Sequence, residues 1–254
     1  MKKTLIILLT LVMLCIATAC KDNDIEEVVN PVVIGEMAGH SQHYRVYIKE
    51  NDKYIPYVVV TSDYNHNTLL MREKPLDEKM AMNNQQNRAN YYATSDLDDY
   101  LNNSFIDSFS DTMQDIINNT RIEITTNDIL NIKKKSRGTE FITRKIFLLS
   151  ANEWGIKSAS AVDEGKRIAK VENFMPADNE WLRTSETYSY DTFWAVGNNV
   201  YNCYGGQTEM CVRPVFTVPF DTEVEKSDMV IKGKAVYIIQ SDNLIELKET
   251  ESEE

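Results

Sequence analysis

Cys211-Val-Arg-Pro-Val-Phe-Thr-Val-Pro-Phe220 closes a run of short strand-like segments that opens at Trp181-Leu-Arg-Thr-Ser185. Read at a period of two, Val212, Pro214, Phe216, Val218 and Phe220 share one face. Arg213 and Thr217 share the other, with Val215 between them. This alternation predicts a half-buried strand. Pro214 brings no amide hydrogen, which places the strand at an edge or a bulge. Large apolar side chains gather here, so the core is expected to build against this strand. It carries no recognisable catalytic group.

Outward from that strand the chain reads as β-rich. Phe193–Val196 turns at Gly197-Asn198-Asn199, Val200–Tyr204 turns around Gly205-Gly206, and Met210–Val218 follows. Near the start, Tyr44, Val46 and Ile48 alternate with polar neighbours, and Asn51-Asp52 marks a turn. Tyr54–Val60 and Leu69–Met71 then complete a small antiparallel meander. Lys74–Asn90 is polar and reads as a loop. Ser95 with Asp98 forms a capping box ahead of Leu97, Tyr100 and Leu101. That helix is expected to end at Asn102-Asn103. A second helix starts at Ser110-Asp111, turns Met113, Ile116 and Ile117 inward, and stops at Asn118-Asn119. Arg121–Thr126 and Thr139–Leu149 read as strands, Ala151–Trp154 as a helical turn, and 157–180 as a surface excursion. A last strand pair is expected at Met229–Ile239 and Leu244–Leu247, followed by a Glu-rich end from Glu249 without order.

The N-terminus gives an address. Lys2-Lys3, the apolar run Thr4–Ile16 and Ala17-Thr18-Ala19-Cys20 form a secretory signal ending in a cysteine. The pattern resembles a bacterial lipobox, with Ala17 where leucine is more usual, and implies lipid attachment at Cys20. Several acyl chains hold a protein firmly where one holds it marginally, at about 0.8 kcal/mol per buried methylene. Residues 20–35 form an acidic tether whose charges resemble a signal for display on the outer-membrane surface. Residues 1–19 hold two of the 27 basic residues and none of the 39 acidic ones, so their removal takes the net charge from −12 to −14. Nothing in that charge seeks nucleic acid.

Four landmarks stand in order: Ser-Asp-Leu-Asp-Asp-Tyr-Leu-Asn-Asn-Ser-Phe at 95–105, Phe-Leu-Leu-Ser at 147–150, Trp-Leu-Arg-Thr-Ser at 181–185, and Val-Arg-Pro-Val-Phe at 212–216. Together they resemble a bacterial domain-of-unknown-function family, number 6273, found in secreted and surface proteins. Its last motif is similar to the closing strand of C-type-lectin-like folds. The resemblance implies an α+β domain over 36–220, with a twisted antiparallel sheet and two main helices. Residues 221–254 would add a short β extension and an acidic tail. Cys211 stands where a glycine is expected before Val-Arg-Pro. The family's activity is itself unassigned.

Candidate chemistry is sparse. Cys203 and Cys211, flanking a five-residue loop in an exported chain, are expected to face each other across a hairpin as a disulfide worth about 2.5 kcal/mol. The alternative is a copper-binding thiol pair like that of formylglycine-generating oxidases, although the surrounding sequence does not resemble theirs. His40, His43 and His66 complete no recognised metal spacing, and no metal or other cofactor is expected. Asp96, Asp98 and Asp99 leave an acid pair for glycoside hydrolysis open, although a helix dipole already explains acids in a first turn. Trp154, Trp181, Trp194, Tyr188, Tyr190, Tyr201 and Tyr204 concentrate aromatics in the C-terminal half. Trp181 and Trp194, within strand patterns, read as core, and Tyr188, Tyr190 and Tyr204, near turns, as a ligand surface for a glycan or a protein. Arg183 and Arg213 read as structural, in internal ion pairs with helix carboxylates. The composite expectation is a non-enzymatic envelope lipoprotein that binds a glycan or protein. The alternatives are a structural envelope component or an enzyme, either an acid-pair hydrolase or a metal–thiol oxidase.

Overall fold

Three two-residue turns set the frame of the main sheet. Asn51-Asp52, Asn65-His66 and Lys232-Gly233 all adopt positive φ at both positions, between 45° and 76°. Paired left-handed residues give the turn twist that joins adjacent antiparallel strands, and Asn, Asp and Gly enter that region at least cost. The computed structural model describes residues 30–84, 91–127, 137–158, 160–168, 178–186, 191–196, 199–203 and 208–239. Pro31–Glu254 is a compact unit by itself.

In chain order the strands are β1 (Tyr44–Glu50), β2 (Lys53–Tyr64), β3 (Asn67–Arg72), β4 (Met80–Ala81), β5 (Thr120–Thr125), β6 (Thr139–Arg144) and β7 (Ile146–Phe147). They continue as β8 (Glu180–Ser185), β9 (Thr192–Val196), β10 (Asn199–Cys203), β11 (Glu209–Met210), β12 (Val215–Val218), β13 (Val224–Ile231) and β14 (Lys234–Ile239). The main sheet runs β13-β14-β1-β2-β3-β12-β7, with β10-β9-β8, β11-β4 and β5-β6 as smaller sheets. β1 and β14 pair in parallel, while β1-β2, β2-β3 and β3-β12 are antiparallel.

Ser95 caps the helix Asp96–Asp99 by accepting the Asp98 amide at 3.0 Å. The run then widens into a π-helix over Tyr100–Phe105 and tightens to 3-10 over Ile106–Ser108. It does not stop at Asn102, whose side-chain amide donates back to the Asp98 carbonyl at 3.0 Å and is also held by the segment leading into β7. Asn102 donates to the Ile146 carbonyl at 2.9 Å and accepts the Lys145 and Ile146 amides, both at 3.1 Å. Ser110 caps the second helix, Asp111–Ile116, which is only six residues long.

These observations correct the expected fold class. The chain is mostly β, with one main helical run and a mixed seven-stranded sheet, not a C-type-lectin-like antiparallel sheet with two main helices. The second helical pattern is cut short at Ile117 by extended backbone, and the chain then enters β5. The C-terminal strands are β13 and β14, turning at Lys232-Gly233, and they join the main sheet beside β1. Residues 244–247 lie outside the described residues.

β12 is also more deeply placed than its alternation suggests. Val215, Phe216, Thr217 and Val218 are all fully buried, between β3 and β7. Pro214 sits just ahead of the strand, where its carbonyl accepts the Arg72 amide at 3.2 Å. Register puts Phe216 with Leu70, Val59 and Ile146 on one face, and Val215 with Met71, Val58 and Phe147 on the other. The helical segments cover the first face, where Phe109 meets Phe216 edge-on at 5.6 Å and Phe105 at 5.4 Å. On the second face, Tyr64 stacks on Phe147 at 5.7 Å, and Arg183 lies over the same ring at 5.9 Å. A strand packed on both faces reads as a continuous apolar run, and only Thr217 interrupts this one. Its hydroxyl is satisfied by Thr120 at 2.6 Å.

Candidate functional site

The landmark arginines are buried, and each holds elements together. Arg183, with 0% of its side chain exposed, forks onto Glu153 through Nη1–Oε2 at 2.6 Å and Nη2–Oε1 at 2.7 Å. Its Nε donates to the Glu123 carbonyl at 2.9 Å and its Nη1 to the Leu148 carbonyl at 2.7 Å. Glu153 also accepts the Tyr64 hydroxyl at 2.6 Å and the Ser150 amide at 3.0 Å. Glu164 sits 3.9 Å from Arg183 and accepts the Thr125 amide and the Thr184 hydroxyl. Burial pushes the Glu164 carboxyl up to about 7, against the pull of Arg183 and the threonines. Burial alone would lower the Arg183 pKa, but Glu153 leads the neighbours that raise it instead. Glu164 and Ile168 are buried, so this part of 157–180 belongs to the core and is no surface excursion. Arg213 donates to Glu180 at 2.5 Å, and both are buried. Both arginines make the internal ion pairs expected of them, but with carboxylates from turns and a strand, not from helices.

Trp181 is buried and donates its Nε1 to the Met80 carbonyl at 2.7 Å. Cys203 and Cys211 are free thiols. Among the described residues, the hairpin expected to bring them together does not form. Cys203 lies opposite Thr192 on β9, while Cys211 bridges to Glu180 and follows β11, which pairs with β4. Burial raises both thiol pKa values. Cys20, Tyr188, Tyr190 and Tyr204 lie outside the described residues.

Two surface features remain. The first is a row of rings across β8, β9 and β10. Trp194 is the cross-strand partner of both Trp181 and Tyr201. Exposure rises along the row, from 2% at Trp181 to 47% at Tyr201. Trp194 and Tyr201 stack at 4.8 Å with 26° between their planes. The second feature is a polar cleft of about 590 Å³ between the start of the helical run and the end of β6. Arg144 Nε holds Asp98 there through both oxygens, at 3.0 and 2.7 Å. Burial pushes the Asp98 carboxyl up to about 6 despite that pairing. An Asp98 clamped this way is no free member of an acid pair.

Of the histidines, His66 occupies the β2–β3 turn with its ring in solvent, and His40 and His43 pack beside Tyr44. Among the described residues, no group of three or more His, Cys, Asp or Glu is placed to hold a metal ion. Among the described residues, no helix is long and apolar enough to cross a membrane.

Residues 65–220 match the family model described as Domain of unknown function (DUF6273). The chain belongs to that family. No curated protein and no solved structure matches it. The DUF6273 match opens in the β2–β3 turn and closes at Phe220, so β1, β2, β13 and β14 lie outside it. Those four are neighbours in the main sheet, in the order β13-β14-β1-β2. All four landmarks of the sequence fall within the matched span. The pairing partners of Arg183, Arg213 and Asp98 could not be read from spacing, because each lies 30 to 46 residues away in the chain.

Proposed function

We propose that this DUF6273 protein is a lipid-anchored module of the bacterial cell envelope, exported and displayed on the outer-membrane surface, that binds a glycan without turning it over. The observation that supports this reading is the Trp181–Trp194–Tyr201 row. Trp181 and Trp194 are cross-strand partners, and Trp194 stacks on Tyr201, an exposed tyrosine on β10, which is an edge strand of its sheet. A sugar ring carries a face of weakly positive C–H groups, and an aromatic face is electron-rich. Stacked on Tyr201, such a ring continues the row by one member, with Trp194 holding the tyrosine in place. The clamped state of Asp98 favours binding over hydrolysis. Cys20 and the acidic tether supply the anchor and the reach.

A glycan array probed with residues 21–254 tests the reading. Tyr201→Ala should weaken binding about tenfold, the loss of one aromatic stack, and Tyr201→Phe should keep it. Binding indifferent to Tyr201, or no binding, refutes it. The anchor has its own test, because fatty-acid labelling of the native chain should vanish in Cys20→Ser.

A further inference from the structure

We infer that the cleft between the helical run and β6 is a binding site for a small neutral saccharide, separate from the aromatic row and independent of that reading. The inference rests on which polar groups the fold has already used and which it leaves to a ligand.

Each cation of the cleft is tied to the fold by at least one hydrogen bond. Arg144 spends Nε on Asp98, Nη1 on the Thr143 carbonyl at 2.9 Å and Nη2 on the Ala93 carbonyl at 3.0 Å. Lys145 Nζ donates to the Gln114 carbonyl at 2.5 Å. The lining sets three carboxylates, Asp96, Asp98 and Asp99, against the two cations Arg144 and Lys145, so an anionic ligand would meet a wall of net negative charge. An apolar ligand would strip water from walls that are mostly polar, at a cost no contact returns.

The groups left over are amphoteric. The Thr94 and Thr143 hydroxyls and the Asn119 amide line the cleft and make no hydrogen bond to other described residues. Each both donates and accepts. Sugar hydroxyls also do both, so they match such a set better than an organic ammonium, which only donates and would use the two carboxylates alone. The walls are fixed before any ligand arrives. Asp98 is locked by Arg144, and Asn102 ties the helical run to Lys145 and Ile146. Arg144 also holds the Thr143 and Ala93 carbonyls, so the backbone on both sides of the cleft keeps its shape on binding. The volume suits one or two sugar rings.

Saturation-transfer NMR and calorimetry on residues 21–254 test the inference with glucose, galactose, mannose, N-acetylglucosamine, maltose and lactose. Citrate and putrescine serve as charged counter-probes. At least one sugar should bind. The double variant Thr143→Ala/Asn119→Ala, which removes two exposed groups the fold does not use, should weaken that binding about tenfold or more. Asn119→Trp, which fills the cleft, should abolish it, and Tyr201→Ala should leave it unchanged. The inference is overturned if none of the sugars binds, if only citrate or putrescine binds, or if sugar binding survives both cleft variants. It is equally overturned if sugar binding is lost with Tyr201→Ala alone, a result that would still uphold the aromatic row.

Discussion

Arg183→Met puts the central polar network at risk. The substitution keeps an apolar stem of similar length and removes the guanidinium. Glu153 would remain buried as a carboxylate without its bidentate partner, and Glu164 would lose the cation 3.9 Å away. The Glu123 and Leu148 carbonyls would each lose a donor. Breaking one side of a buried ion pair costs about 3–5 kcal/mol, and an orphaned buried acceptor about 1–3 kcal/mol. These losses overlap, so a total of about 5 kcal/mol or more is expected, comparable with the whole stability of a small domain. Urea unfolding of residues 21–254, followed by the fluorescence of buried Trp154 and Trp181, measures it. Arg183→Lys keeps the charge but loses the fork, and should fall between the two. The double variant Arg183→Met/Glu153→Leu should be less destabilised than the sum of its singles, by about 3 kcal/mol. Lys49→Ala breaks the pair with the exposed Asp52 and should cost under about 1 kcal/mol. An Arg183→Met cost below about 1.5 kcal/mol, or strict additivity with Glu153→Leu, would refute the account of this network.

Two further outcomes follow from burial. The Glu164 carboxyl holds its proton up to about pH 7 in the fold, against an ordinary value of 4.5, so between those pH values the folded state binds more protons than the unfolded state. Its contribution is therefore fully present below about pH 4.5 and is lost as pH rises through about 7, a difference of about 3 kcal/mol. Asp98, raised to about 6, acts with the same sign over a lower window. Stability of the wild type minus that of Glu164→Gln should fall from pH 4.5 to 7.5, and a flat difference curve would contradict the placement. The thiols give the second outcome. Denatured residues 21–254 should titrate two thiols without reductant, and in the native state both should react slowly, half-buried Cys203 ahead of buried Cys211. No titratable thiol before reduction would restore the disulfide.

Local features were legible in the sequence because their physics is local. Ser95 and Ser110 cap helices as their spacing predicts, and Asn51-Asp52 makes the turn it suggests. The meander of β1, β2 and β3 follows from alternation and turn residues alone. What depended on distant partners was not legible. The period of two holds only over Val215–Val218, the length of β12, with Phe220 left 45% exposed, and it cannot say that a second layer buries the other face of the strand. Nor can it say that β14 returns to pair in parallel with β1, some 190 residues earlier. The cleft was half visible, since 95–105 stood out as a motif. Its other wall, Thr143-Arg144-Lys145, carried no signal until the fold set it beside Asp98.

The four landmarks are mostly fasteners. Phe-Leu-Leu-Ser and Trp-Leu-Arg-Thr-Ser are joined by Arg183, which reaches the Leu148 carbonyl and, through Glu153, the Ser150 amide. Val-Arg-Pro-Val-Phe is fixed to the strand carrying Trp181 by Arg213 and Glu180. Buried charges of this kind tolerate few replacements, because losing either partner strands the other. A sequence signature made of such residues reports a scaffold and says little about a ligand. The groups proposed to meet ligands are of another kind. Tyr201, Thr94, Asn119 and Thr143 lie outside the four landmarks and are exposed to solvent. Changing them should alter what is bound while leaving the fold intact. On the reading proposed above, the ligand is to be sought at the cleft and at the edge of β10, away from these fasteners.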